Sequence, residues 1–156
     1  MSNRDQASKR NAVELKQSLR FPEELLTLYS TTQKPATLDK VTSLHMFESS
    51  PQSKCAIAYV INKADSGRET LEQVYLIIVY SVITGLPLRV LRSESEVTQM
   101  CTPGDDSILI VGTVHGSLQL YDLKEFDSSN ASGGDEGIQA DELLNKIQEI
   151  RNRYSI

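Results

Sequence analysis

The hydrophobic and polar positions in the middle of the chain follow a pattern that predicts β-structure. Residues 107–112 are mostly Ile, Leu and Val, and a run this short and this rich in β-branched residues predicts a buried strand. From Ser117 onward, apolar and polar residues partly alternate, which predicts a second strand with one more polar face. Gly116 lies in the short connection and can adopt positive φ, so residues 105–123 predict a β-hairpin. Because an isolated hairpin is marginal in water, we expect it to pack on other strands.

The same pattern predicts further strands upstream of the hairpin. Residues 74–83 form the most apolar run in the chain and predict a central strand. The other predicted strands are residues 41–47, residues 55–61, residues 88–91 and a short one at Val97. Turns rich in Ser, Gly and Pro are predicted at residues 48–53, 84–87 and 102–105, and a solvated loop at residues 62–73.

The two ends of the chain predict helices. Residues 12–20 are helix formers, and Pro22 suits the first turn of a second short helix over residues 22–29. Near the other end, one apolar stripe with a spacing of three and four residues predicts an amphipathic helix; its members are Ala140, Leu143, Ile147, Ile150 and Tyr154. Three roles stay open for that helix: a short coiled-coil seam, docking on the body of the protein, or a loose end.

Internal similarity predicts how the strands are grouped. Tyr80 and Tyr121 each close a strand-like run and lie about 40 residues apart, and residues 40–44 are echoed by residues 96–100. A period of that length, with four short strands in each repeat, is typical of β-propeller blades. The predicted fold is therefore mainly β, with one to two WD-type blades of an incomplete propeller, short N-terminal helices and a C-terminal amphipathic helix.

Composition divides the chain into four segments. Residues 1–39 are helical or loose, residues 40–126 hold the strands, residues 127–137 form a linker of Ser, Gly and acidic residues, and residues 138–156 form the terminal helix. The formal net charge of −5 is concentrated near the linker, where Lys and Arg are missing between Glu125 and Glu142. The acidic members of that stretch are Glu125, Asp127, Asp135, Glu136, Asp141 and Glu142.

The charge pattern and the apolar runs also exclude several kinds of partner. No basic stripe is present, which argues against a nucleic-acid partner. No apolar run approaches the length of a membrane span, and the N-terminus lacks the apolar core of a signal peptide. We therefore expect an intracellular, cytoplasmic protein that does not insert into membranes.

Candidate catalytic chemistry is sparse. The sequence holds no phosphate-binding loop, no dinucleotide fingerprint, no His-Glu-x-x-His and no Cys-x-x-Cys motif. The side chains that could act as soft metal ligands are His45, Cys55, Cys101 and His115, and their spacing is not that of a zinc finger. We therefore predict no catalytic residues, no cofactor and no metal, and interpret both cysteines as core residues.

The acidic residues around the hairpin have structural roles available. Asp105 and Asp106 are predicted turn formers. Asp122 follows a strand, where its carboxylate can accept hydrogen bonds from turn amides.

The run GTVHGSLQLYDL resembles the end of a WD repeat, in which a strand, a tight turn with Gly, and a strand closing in an aromatic-Asp pair recur. The positions that carry this resemblance are Gly112, His115, Gly116, Tyr121 and Asp122. More narrowly, residues 40–126 are similar to the first blades of the WD-repeat intermediate chains of the cytoplasmic dynein that drives retrograde intraflagellar transport in cilia.

The resemblance implies a non-catalytic scaffold located in the cytoplasm and the cilium. Its propeller would hold the dynein heavy chain, and its N-terminal region would recruit other dynein subunits. A propeller closes with about four to eight blades, and this sequence holds at most two. We therefore expect these 156 residues to be a truncated product, a partial gene model or an isoform. The alternative is a small free-standing α/β adaptor, in which helices cover one face of a mixed sheet and the terminal helix binds a partner.

Overall fold

A computed structural model describes residues 13–50, 53–63, 72–124, 145–149 and 152 of the chain. Every structural statement below concerns these residues. The predicted linker over residues 127–137 lies outside them, as do the first twelve residues and most of the predicted C-terminal helix.

The described chain forms two antiparallel β-sheets. The seven strands are β1 (Thr37–Met46), β2 (Lys54–Asn62), β3 (Gln73–Ser81), β4 (Pro87–Ser93), β5 (Val97–Cys101), β6 (Ile108–Thr113) and β7 (Leu118–Asp122). The first sheet has the order β1-β2-β3-β4 and the second has the order β5-β6-β7, so each strand pairs with its neighbour in sequence. The prediction of a mainly β protein is confirmed, and both sheets are antiparallel throughout.

Several strand boundaries differ from the sequence predictions by one to four residues, and those of β1 and β3 have a visible cause. β1 begins at Thr37, inside the segment assigned to the N-terminal region, because Thr37 and Leu38 pair with Asn62 and Ile61 of β2. β3 ends at Ser81, and Ile83 is exposed in the turn that follows. Gly85 closes that turn with a φ of 74°, a conformation that costs glycine little.

The main hydrophobic core lies between the two sheets. β2 and β3 contribute Ala56, Ala58, Ile77 and Val79, and the second sheet contributes Val97, Met100, Leu109 and Val111. Phe47, at the end of β1, completes the cluster. The first strands of the two sheets, β1 and β5, lie against each other. The two sheets therefore stack face to face.

The predicted helix over residues 12–20 is wrong for its described part, because residues 13–20 form no regular structure. Val13 and Leu15 are 98% and 85% exposed, so neither side chain belongs to a buried apolar stripe. A helix this short is unstable in water without such burial. The second predicted helix is present as a 3-10 helix, Glu23–Leu28, and follows Pro22 as expected.

The N-terminal segment covers the face of the first sheet that points away from the second sheet. Leu25 is fully buried against Tyr59, Ile78 and Tyr80, and the ring of Phe21 meets the ring of Tyr59 edge-on at 4.9 Å between centroids. The second sheet covers one face of the first sheet, and this segment covers the other face over β2 and β3, whereas Leu44 and Met46 of β1 stay exposed on that face.

Two tyrosine hydroxyls are buried at this N-terminal contact. The hydroxyls of Tyr59 and Tyr80 lie 2.7 Å apart, and the Tyr80 hydroxyl also donates to the backbone carbonyl of Arg20 at 3.3 Å. Since each hydroxyl has one proton, Tyr59 donates to Tyr80 and Tyr80 donates to Arg20. Burial raises the pKa of both side chains above their ordinary value.

We expect these two tyrosines to make the fold sensitive to alkali. A raised pKa in the folded state gives stability that is present below the unfolded pKa, about 10, and lost as the pH rises above it. The double variant Tyr59→Phe, Tyr80→Phe should therefore lose less stability than the wild type between about pH 8 and about pH 11 in urea unfolding. Tyr75→Phe, at a half-buried site on β3, is the matched control for the removal of a tyrosine hydroxyl. Equal slopes for all three proteins would contradict the assignment.

At the C-terminus, residues 145–149 and 152 are helical, in agreement with the predicted helix as far as it is described. Ile147, a member of the predicted apolar stripe, is buried. No helix in the described ranges combines the length and apolar character that crossing a bilayer requires.

Candidate interaction surface

Three of the five residues singled out in the sequence lie at one end of the second sheet. Gly112 is near the end of β6, and His115 and Gly116 form the exposed turn between β6 and β7. Gly116 has a φ of 81°, and its N–H donates to the carbonyl of Thr113 at 3.0 Å. This geometry is the hairpin turn that the sequence predicts.

The other two residues, Tyr121 and Asp122, lie at the far end of β7 and point to opposite faces. Tyr121 is half-buried and points toward the first sheet, where its hydroxyl donates to the carbonyl of Arg92 at 2.7 Å. Asp122 is exposed, and its carboxylate accepts a hydrogen bond from the backbone N–H of Lys124 at 2.9 Å, the structural role predicted for it. The five residues therefore shape one hairpin but do not converge on one site.

A polar network links the outer edges of the two sheets. The side-chain oxygen of Gln119 on β7 lies 2.6 Å from the Tyr121 hydroxyl and 3.2 Å from the Ser93 hydroxyl on β4. Ser93 in turn donates to the carbonyl of Ser95 at 2.7 Å. These contacts place the side chains of Gln119 and Tyr121 on the inner face of β7, next to Ser93.

A second polar cluster joins the loop after β1 to the loop after β5. The carboxylate of Asp106 accepts hydrogen bonds from the Ser49 N–H and the Ser50 hydroxyl, each at 3.0 Å. Burial alone would raise the pKa of Asp106, but hydrogen bonds from Ser49, Ser50 and Thr102 hold it below its ordinary value. Thr102 also lies 2.8 Å from the His45 ring. The cluster therefore connects the two sheets through hydrogen bonds between their loops. Asp105 and Asp106 both lie in the turn after β5, as predicted.

The outer face of the second sheet is apolar and exposed. Leu118 and Leu120 are 72% and 65% exposed, and Ile108 on the neighbouring strand is also exposed. Ile110 lies between them and is half-buried. We call these four residues the outer patch. Contiguous exposed apolar side chains of this kind mark interaction sites more often than isolated ones do.

The outer patch reverses what the sequence suggests for β7. The alternation there places Leu118 and Leu120 on the buried face and Gln119 on the more polar one, whereas in the structure Tyr121 and Gln119 face inward and are half-buried. The hairpin register explains the reversal, because Tyr121 pairs with Leu109 and Gln119 pairs with Val111. Paired residues share a face, so packing Leu109 and Val111 against the first sheet turns both leucines outward.

β7 is also an edge strand, and the register shows which of its backbone groups are free. Thr113 N–H donates to Ser117 O at 3.0 Å, and Leu123 N–H donates to Ser107 O at 2.8 Å. Hydrogen-bonded and non-hydrogen-bonded pairs alternate along an antiparallel ladder. Gln119 and Tyr121 therefore direct their backbone groups at β6, whereas the backbone groups at 118, 120 and 122 point to the open edge. No described strand pairs with that edge.

The described residues offer little for covalent or metal chemistry. Burial raises the pKa of the Cys55 thiol, which keeps it protonated, whereas a nucleophilic cysteine needs the thiolate. Cys101 is half-buried on β5. Within the ranges that the structure describes, no three His, Cys, Asp or Glu side chains are grouped so that they could hold a metal ion.

Comparisons with protein-family models, with curated proteins and with solved structures give no match to this chain.

Proposed function

We propose that this protein is a non-catalytic scaffold that acts through protein-protein contacts. In this proposal the two sheets are successive WD-type propeller blades, and the chain belongs to an intermediate chain of the dynein of retrograde intraflagellar transport. Its partners are then the dynein heavy chain and other dynein subunits.

The observation that carries the proposal is the way the two sheets are ordered and stacked. A blade is a four-stranded antiparallel sheet, and blades stand radially around a central channel. The first sheet has four strands in sequential order, and the second follows it directly and packs on its face. β1 lies against β5, as the innermost strands of neighbouring blades would.

The sequence echo supports the same arrangement. Tyr80 lies on β3 and Tyr121 on β7, so each tyrosine occupies the third strand of its own sheet. A ring of about four to eight blades needs an apolar face on which the next blade can pack. The outer patch on the second sheet would supply that face.

The experiment is co-purification of the ciliary dynein heavy chain with the tagged full chain from ciliated cells. Leu109→Asp would place a charge in the core between the sheets, and Ile83→Asp, at an exposed apolar turn position, is its matched control. We expect the heavy chain to co-purify with the wild type and with Ile83→Asp, but not with Leu109→Asp. Failure of the wild type to retain the heavy chain would overturn the dynein assignment. Equal recovery with Leu109→Asp would show that the stacked sheets are not needed.

The alternative function is that of a small adaptor, and one observation favours it. The N-terminal segment covers the face of the first sheet that a last blade would occupy in a closed ring. In the adaptor hypothesis the terminal helix binds the partner, although Ile147 on that helix is buried. Deleting residues 138–156 separates the two functions, since the adaptor would lose its partner and the scaffold would keep the heavy chain.

A further inference from the structure

We propose that the open edge of β7 is a docking site for an extended, basic and apolar segment of a partner protein, which adds to the second sheet as its fourth strand. The proposal rests on the geometry of β7 and does not depend on the dynein assignment.

The first step is the backbone. Leu118, Leu120 and Asp122 direct their N–H and C=O groups at the open edge, as the register with β6 requires. An edge with unpaired backbone groups is a template for another strand. Peptide recognition by strand addition uses such an edge for affinity and the neighbouring side chains for specificity.

The second step is the apolar surface beside that edge. The side chains of Leu118 and Leu120 lie on the outer patch, immediately next to the position of the added strand. In an antiparallel pair, residues on neighbouring strands that face the same way are in contact. Alternate apolar residues of the added strand would therefore contact the two leucines from the side of the open edge and reduce their exposure.

The third step is charge. Asp122 is exposed at the end of β7, and the nearby Lys124 is already paired with Asp105, 3.4 Å from its ammonium nitrogen, so the Asp122 carboxylate is left available to a partner. A partner segment with Lys or Arg near its apolar residues would complement this charge. The chain holds an example of such a strand in β4, whose sequence is PLRVLRS and which completes the first sheet beside β3.

Two other occupants fit less well. The chain's own continuation over residues 127–137 consists mainly of Ser, Gly, Asn and acidic residues, which are poor strand formers. A second copy would bring together two chains that each carry a net charge of −5. A dimer formed through this five-residue edge would also bury far less than the roughly 800 Å² per partner of a stable protein-protein interface. A peptide that adds as a single strand does not need so large an interface.

The test uses the full chain and an end-capped peptide with the β4 sequence PLRVLRS as the probe. Leu120→Pro removes an N–H that points to the open edge and leaves the ladder to β6 intact, a position that edge strands tolerate. We expect saturable binding to the wild type and binding at least about tenfold weaker to Leu120→Pro. Leu44→Ala, 62% exposed on β1, is the matched control and should bind like the wild type.

The charge contribution and the register are tested on the wild-type protein itself. Replacing both arginines of the peptide by glutamate, or raising the salt concentration, should weaken binding. Saturating peptide should slow amide hydrogen exchange at Leu118, Leu120 and Asp122 and leave Gln119 and Tyr121 unchanged. This readout applies even where Leu120→Pro alters the fold.

Three results would overturn the proposal. The first is that the peptide shows no saturable binding to the wild type. The second is that the peptide binds equally to the wild type and to Leu120→Pro, and does not change amide hydrogen exchange at Leu118 and Leu120 of the wild type. The third is concentration-dependent self-association of the wild type that Leu120→Pro abolishes, which would make a second copy the occupant. Loss of the heavy chain in the co-purification experiment leaves this proposal standing, since the peptide assay does not involve dynein.

Discussion

Replacing Leu109 with alanine should lower the free energy of unfolding by about 2 to 5 kcal/mol. Leu109 is fully buried on β6 at the centre of the core between the two sheets. Truncation removes apolar contacts with both sheets and leaves a cavity that the stacked strands can fill only in part. Domains of this size are stable by about 5 to 15 kcal/mol, so the loss should be plain in urea unfolding followed by circular dichroism.

The matched control for Leu109→Ala is Leu120→Ala on the same hairpin. Leu120 lies on the outer patch and is largely exposed, so its truncation should change the stability by no more than about 0.5 kcal/mol. Similar losses for the two variants would mean that the sheets do not stack through this face of β6.

Replacing Leu25 with alanine should also cost about 2 to 5 kcal/mol. Leu25 is the fully buried residue of the 3-10 helix and lies among Tyr59, Ile78 and Tyr80. The loss should appear in the global unfolding transition, because the N-terminal segment packs on the two central strands of the first sheet, β2 and β3. Leu15→Ala is the control, since Leu15 is 85% exposed. A Leu25 variant as stable as the Leu15 variant would show that the segment is an appendage that contributes nothing to the fold.

Much of the strand content could be predicted from sequence. The β-branched runs place β2, β3 and β6 within a few residues of their observed ends. Gly116 predicts the hairpin turn, because its φ of 81° is a conformation that glycine adopts without steric strain. These signals are local, since they depend on side-chain type and on the conformational freedom of one glycine.

Features that depend on contacts distant in sequence could not be predicted. Residues 13–20 contain good helix formers, yet Val13 and Leu15 find no surface to bury them, and only Leu19 packs on the first sheet. Propensity alone does not stabilise so short a helix.

The outer patch was missed for a related reason. Every residue from Ile108 to Val111 is apolar, so the sequence does not say which face of β6 points inward. Because Leu109 and Val111 point toward the first sheet, their partner Tyr121 also points toward it. Side chains alternate along a strand, so Leu120 points to solvent. The Tyr121 hydroxyl then reaches the carbonyl of Arg92, a partner 29 positions away in sequence.

Amide hydrogen exchange along β7 in the unbound protein tests the account most directly, because the stacking of the second sheet, its register and its open edge together fix the pattern. We expect slow exchange at Gln119 and Tyr121 and fast exchange at Leu118, Leu120 and Asp122. Protection at all five positions would mean that another strand already occupies the edge. Protection at Leu118, Leu120 and Asp122 with fast exchange at Gln119 and Tyr121 would mean that β7 pairs with β6 in a different register. That result would contradict both the outer patch and the docking of a strand beside it.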